Sequence, residues 1–339
     1  MNEDRSPSPN EEQYKRGLRH TWEAWVWIAG NFQPMKCWID HSAKRGFGCF
    51  PQCHIGHTEE KKMASLNVCG SNGTGLGQFR YPQGIAVSNK GEVAVIDTCN
   101  HRVQLFSSDG QFLRAFGSQG VKDDFMNFPC SATYDKQDNI IVTDSDNHRL
   151  LVFSSSGELI QEFGSESLRN PWGVCTTSDG NIAVCSGGEK GEVQVYSPEG
   201  SLLMQFSDPS TNSRPSYVVY SHDKYFVSYS DDQCVKAFDS KGQLLFNIGE
   251  PGIGDAQFNR PRGLVVDEHE QLLVCDGWNN RIQVFSLEGK FLSKFGSRGK
   301  GPGQLIFPVD LSIAPDGRVF VIELKGERLQ VFQGLEKQA

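Results

Sequence analysis

The sequence predicts an all-β chain folded as a closed six-bladed β-propeller with four-stranded antiparallel blades. Three observations carry this. A proline recurs at Pro82, Pro129, Pro171, Pro215, Pro261 and Pro308, at separations of 47, 42, 44, 46 and 47 residues. A fixed period of that length marks a stacked or circular array of like units. Each unit then holds four short apolar runs bounded by turns such as Asn89-Lys90-Gly91, Ser108-Asp109-Gly110 and Glu288-Gly289, which reads as an antiparallel meander. No unit contains a ten-residue stretch with helical apolar spacing and no glycine, so a helical solenoid is excluded. A lone four-stranded sheet cannot cover both its faces, and sheets stacked face to face around an axis can.

Unit one sets the pattern: Tyr81–Val87, Val93–Asp97, Asn100–Phe106 and Phe112–Gly117. Unit six runs from Pro308 through Val319–Ile322 and Arg328–Phe332, and no fourth strand follows it. Upstream of unit one, Leu66–Gly70 resembles an orphan fourth strand. Gly70 precedes Pro82 by 12 residues, as Gly117, Gly249 and Gly296 precede their own prolines. The N-terminal strand is therefore expected to complete the last blade and remove both sheet edges. The expected organisation is an irregular leader over 1–62, the propeller over 63–333 and a tail over 334–339.

The chain carries a net charge of −8, and residues 66–339 hold 24 basic against 33 acidic residues, a net of −9. That disfavours a nucleic-acid binder acting through its whole surface and leaves room for a local basic patch. Of ten cysteines, seven lie in the repeat region. Cys185 and Cys275 share one second-strand position held elsewhere by Ile96, Thr143, Ser228 and Ile322, and read as small buried apolar residues. The first twenty residues are polar and charged, and the apolar run Ala24–Ala29 is too short to span a bilayer. A reducing cytoplasmic setting with free thiols, and no membrane association, is the expectation. The leader also holds Cys37, His41, Cys49, Cys53, His54 and His57. Their spacings do not match a zinc knuckle. Cys49, Cys53, His54 and His57 are weak candidates, and no metal or other cofactor is expected.

Two sets of side chains stand out. Asp97, Asn100 and Arg102 recur as Asp144, Asn147 and Arg149, and again as Asp276, Asn279 and Arg281. Carboxylate, amide and guanidinium at this spacing satisfy one another and the loop backbone. Repetition in three units predicts a structural clasp, since a catalytic set belongs to one unit. The stretch Gly70–Gly77 is not a phosphate loop, because no helix and no Lys-Ser/Thr pair follows it. The second set belongs to the face where the loop into each inner strand meets the loop joining strands two and three. Unit one places Arg80, Tyr81, Gln83 and His101 there. Units two, three and four add Phe128 and His148, then Arg169 and Trp172, then Arg214. Units five and six add Arg260, Arg262, Trp278 and Asn280, then Arg298 and Lys300. Arginines beside aromatic rings suit a peptide hot spot or a nucleic-acid strand. The acidic net charge favours the peptide.

The segment from Gly75 through Pro82 to Val87, followed by Asp97-Thr98-Cys99-Asn100-His101-Arg102-Val103-Gln104-Leu105-Phe106, resembles an NHL repeat. So does Gln257–Val266 with Asp276–Phe285. The resemblance spans 66–333 and is sharpest in units one, two and five. Unit three has Ser186, and unit four Tyr229 and Cys234, at clasp positions; unit six keeps Glu323 and Arg328. It is closest to the propellers that follow a RING finger, B-boxes and a coiled coil in tripartite-motif proteins. The resemblance implies a non-catalytic platform for a protein partner or ubiquitination substrate, or for single-stranded RNA. These 339 residues show no RING spacing and no heptad run, so ligase catalysis is not expected of them, and a monomer is. NHL-like propellers also occur in a secreted, disulfide-bonded, metal-dependent lyase; no signal or channel-lining histidine set supports that alternative.

Overall fold

The computed structural model describes residues 63, 65–120, 125–188 and 191–335. Six four-stranded antiparallel sheets form the blades. Blade one comprises Gly84–Val87, Val93–Asp97, Arg102–Phe106 and Phe112–Phe116, ordered from the inner to the outer strand. Blade two runs through Pro129–Tyr134, Ile140–Asp144, Arg149–Phe153 and Leu159–Phe163. Blade three is Val174–Thr176, Ile182–Ser186, Glu192–Tyr196 and Leu202–Phe206, and blade four Tyr217–Ser221, Lys224–Tyr229, Cys234–Asp239 and Leu244–Ile248. Blade five is Pro261–Val266, Gln271–Asp276, Arg281–Ser286 and Phe291–Phe295. In blade six, Pro308–Ile313, Val319–Glu323 and Arg328–Phe332 are joined at the outer edge by Ser65–Cys69, with Cys69 opposite Leu329 and Ser65 opposite Phe332.

Each inner strand lies beside those of its two neighbours, and blade six returns to blade one. The core lies between blades rather than within them. Ala94, Ile96, Val103 and Leu105 of blade one pack on Ala132, Ile140, Val142 and Phe153 of blade two. The opposite face of blade two, with Ile141, Leu150 and Val152, packs on Val174, Ile182 and Val184 of blade three. The second strand alternates its side chains between two neighbours, which is why it reads as an unbroken apolar run. Each such side chain contributes about 1.5–3 kcal/mol by leaving water.

The second residue after the repeat proline alternates around the ring: Gly84, Ser131, Gly173, Tyr217, Gly263, Asp310. A Cβ on Gly173 would lie 2.4 Å from the Tyr217 Cα, and one on Gly263 2.6 Å from the Asp310 Cα. Glycine there lets the next blade's backbone close in, and the bulkier residue is left to fill the axis. Tyr217 does so: its hydroxyl donates to the Gln83 carbonyl at 2.6 Å, from blade four to blade one across the ring. Beyond this crossbar the axial channel is a cavity of about 190 Å³ bordered by Val87, Thr133, Val219, Asp310 and Ser312.

The periodicity did not signal three single-turn 3-10 helices, Thr98–Asn100, Ser145–Asn147 and Gly277–Asn279. Nor did it signal two short parallel pairings in the linking loops, Glu250–Pro251 with Gln257–Phe258 and Ser297–Arg298 with Gln304–Leu305. Cys185 and Cys275 are fully buried, and the seven cysteines from Cys69 to Cys275 are free thiols. The candidate ligands Cys49, Cys53, His54 and His57 lie outside the described residues.

Candidate binding face

The clasp forms as a carboxylate closed on every side. Asp97 Oδ1 accepts the Arg80 amide at 2.7 Å, while Oδ2 accepts Asn100 Nδ2 at 2.8 Å, Arg102 Nε at 2.8 Å and Gln104 Nε2 at 3.0 Å. Asn100 and Arg102 then donate onward to the carbonyls of Gly73, Gly75 and Gln78, fastening the incoming loop. Blade five repeats this with Asp276, Asn279, Arg281 and Gln283. Blade two repeats it with Asp144, Asn147 and Arg149, without the glutamine. Burial pushes the Asp97, Asp144 and Asp276 carboxyls up against the pull of these donors.

The glutamine was not singled out from the sequence, although it recurs at one register as Gln104, Gln194, Gln283 and Gln330. Blade six builds a full clasp from Glu323, Arg328 and Gln330, a methylene longer on the acid. In blade four, Tyr229 faces Cys234 where Asp97 faces Arg102. Lys236 stands at the glutamine position and reaches Asp208 at 2.7 Å and Asp232 at 2.8 Å. The charges are reversed and the loop is still held. Burial pushes the Asp208 carboxyl up, but the Lys236 and Ser210 bonds outweigh it and hold it at about 2.

Hydrogen bonds also join the two sets of loops that make the face. The Cys99 amide donates to the Arg80 carbonyl, that of Trp278 to Asn259, and that of Leu324 to Phe307. Three residues assigned to the ligand face prove instead to stitch blades together. His101, His148 and Asn280 adopt left-handed backbone with φ of 53°, 59° and 55°. Their side chains accept the amides of Phe128, Asn170 and Phe307, each at 3.1 Å and each on the following blade. Those three amides belong to residues that precede a repeat proline and are themselves left-handed. Gln83, His101 and Phe128 are buried, so the expectation that they meet a ligand is corrected. Arg260 is paired with Asp231 at 3.1 Å and is not a free cation either. Arg281 is spent in its clasp.

What remains on the face is an array alternating rings and cations. The Arg262 guanidinium lies 5.0 Å from the Trp172 ring and 5.8 Å from that of Phe307. Phe307 meets Trp278 edge-on at 5.2 Å, and Lys325 Nζ stands 4.1 Å over Trp278. Asn280 locks the middle, donating to the Trp278 carbonyl while accepting the Phe307 amide. The array draws on blades three, five and six. Trp278 is 40% exposed and, across blade six, Tyr81 is 44% exposed. Arg298, Lys300 and Arg214 are exposed; Arg80, Arg262, Trp172 and His148 are half-buried. Lys325 was missed from sequence, yet the repeat register could have found it. It stands where Cys99, Asp146, Asp231 and Trp278 stand in other blades.

Comparisons with known proteins agree with this architecture. The NHL repeat family model matches residues 79–106, 126–153 and 258–285, in blades one, two and five. Protein brain tumor of Drosophila melanogaster is 38% identical over 65 residues, 19% of this chain and 6% of that protein. RING finger protein nhl-1 of Caenorhabditis elegans is 43% identical over 54 residues, 16% of this chain and 6% of that protein. The matched span is thus a small part of either relative. Among solved structures, virginiamycin B lyase from Staphylococcus aureus superposes with a TM-score of 0.56 at 13% identity, covering 75% of this chain and 95% of that one. At that identity the likeness shows the fold alone. Among the described residues no helix is long and apolar enough to cross a membrane. With its proline-led period, its repeated clasps and these matches, the chain is a six-bladed β-propeller that carries NHL repeats in blades one, two and five.

Proposed function

We propose that this propeller is a non-catalytic binding platform that recognises a protein partner or substrate on its clasped face. The observation that carries this is the array Trp172–Arg262–Phe307–Trp278–Lys325. Arginine and tryptophan anchors held rigid before binding are what concentrate affinity in a peptide interface. Its histidines support a binding role over chemistry: His101 and His148 are stitches, and His222 pairs with Glu270 in the strand turns. A place in a ubiquitin-ligase pathway, in the cytoplasm, is the finer reading. It rests on the family resemblance and on the RING finger that one relative carries in its name.

A second reading is supported by the half-exposed Tyr81 and Trp278 rings, on which unpaired bases of a single-stranded RNA would stack. The test is selection of a displayed random-peptide library on the full chain, set beside a titration with random single-stranded RNA at two salt concentrations. Peptides whose binding is lost on Trp278→Ala and changes little with salt are the expected result. Tight RNA binding that falls steeply with salt and is lost in the same variant would overturn the preference for protein.

A further inference from the structure

We propose that the axial channel is a socket for a lysine side chain of a partner chain, whose ammonium pairs with the Asp310 carboxylate at the blind end. The site opens on the side of the ring away from the clasped face and does not depend on the reading given above.

The inner strands of the blades line the channel, and one end of it is closed. The bond from the Tyr217 hydroxyl to the Gln83 carbonyl bars it on the side of the clasped face. Toward the other end Val87, Thr133, Val219, Val265 and Ser312 line the cavity and are partly exposed, whereas Asp310 is 5% exposed. The cavity therefore opens among the turns that follow the inner strands. Two residues of strand separate Ser312 from Asp310, a depth of about 7 Å. The space is about 190 Å³, and Val87, Val219 and Val265 bring apolar side chains to its lining. A flexible four-carbon stem spans that depth along an apolar wall and delivers a charged head to the carboxylate.

The carboxylate is fixed between neighbouring blades. Its Oδ2 accepts the Ile85 amide of blade one at 3.1 Å and its Oδ1 the Leu311 amide at 2.9 Å. On the side of blade five, a Cβ on Gly263 would lie 2.2 Å from Oδ1. An ionised carboxylate offers about four acceptor positions, so these two bonds leave room for an ammonium. Among the described residues no lysine, arginine or histidine lines the cavity. The groups packed around Asp310 supply no cation either. Burial pushes the Tyr217 phenol and the Cys275 thiol up, so both are neutral. Asp276 and Glu323 are tied into clasps, and the Arg262 guanidinium lies against the Trp172 and Phe307 rings. Burial without a counter-charge is what raises the Asp310 carboxyl to about 8.

The mouth is suited to a cation as well. The turns around it, residues 88–92, 135–139, 177–181, 221–224, 267–270 and 314–318, carry nine carboxylates against four lysines and arginines. Such a ring attracts a basic side chain and repels an acidic one.

The test is calorimetric titration of the full chain with three capped tripeptides, glycine flanking lysine, norleucine or arginine, and with n-butylammonium and potassium chloride. At pH 9 the lysine peptide should bind about tenfold more tightly than the norleucine peptide, as a charge-assisted bond predicts. Its affinity should fall about tenfold per pH unit below about 8, because Asp310 must lose its proton before it can pair, while the norleucine affinity stays level. Asp310→Asn should abolish the difference between the two peptides. Val219→Phe, which narrows the mouth and leaves Asp310 in place, should weaken the lysine peptide with an unchanged thermal midpoint. Equal binding of lysine and norleucine, or a lysine preference that survives Asp310→Asn, would overturn the socket. An arginine peptide bound as tightly, butylammonium bound with the peptide excluded, or potassium alone bound through Asp310 would each overturn the assignment to a partner's lysine.

Discussion

His101 Nδ1 accepts the backbone N–H of Phe128 at 3.1 Å, so a side chain of blade one satisfies the amide that opens blade two. Both residues are left-handed, with φ of 53° and 50°. Such backbone costs on the order of 1–3 kcal/mol per residue and persists only where neighbours over-determine it. The bond fixes the neutral tautomer with its proton on Nε2, since Nδ1 must accept. Removing the acceptor leaves a buried N–H unpaired, at about 1–3 kcal/mol. His101→Ala should therefore lower the unfolding free energy by that amount in a denaturant titration. His101→Asn should recover most of it, because Asn280 does the same work for Phe307. Equal loss in both variants would show that ring packing, and not the bond, is what matters.

The clasps are expected to stabilise the fold and not to bind ligand. Arg149 is buried on Asp144 at 2.9 Å. Arg149→Ala strands that carboxylate and should cost about 3 kcal/mol. Thermal and chemical unfolding of the variant provide the measurement. Unchanged stability with lost ligand binding would reverse the assignment.

Ser65–Cys69 is the only cover on the outer edge of Arg328–Phe332 among the described residues. Deleting residues 1–62 should leave a folded domain. Deleting 1–72 should expose the edge, lower the melting temperature and promote aggregation. Equal melting temperatures and equal solubility for the two truncations would mean that this strand does not close the ring.

Asp310 joins blade six to blade one, accepting the Ile85 amide at 3.1 Å as well as its own neighbour's, Leu311, at 2.9 Å. Burial pushes its carboxyl up to about 8, against those two bonds. The folded state thus holds a proton that the unfolded chain releases near pH 4. Its contribution is fully present below about pH 4, falls by about 1.4 kcal/mol per pH unit as pH rises, and levels off above about 8. The wild-type melting temperature should drop between pH 5 and 8 more steeply than that of Asp310→Asn. Parallel curves for the two proteins would show that Asp310 is ionised throughout.

The six blades, their strand order and the three Asp-Asn-Arg clasps were legible in the sequence. Each is periodic or local, set by the alternation of buried side chains and by residues within a few positions of one another, and periodicity is visible in one dimension. Which loop residues face solvent depends on how the blades meet. His101, His148 and Asn280 look like surface polar residues until the next blade's amide is placed against them, 22 to 27 positions away. Arg260 and Arg298 look alike in sequence, and only the first finds an aspartate, Asp231 of the preceding blade. Tyr217 crosses to Gln83, 134 residues distant, and Lys325 settles over Trp278 of the neighbouring blade. Closing a ring sets loops of adjacent blades side by side, and which pairs meet depends on the angle and stagger between sheets, which no run of residues encodes alone.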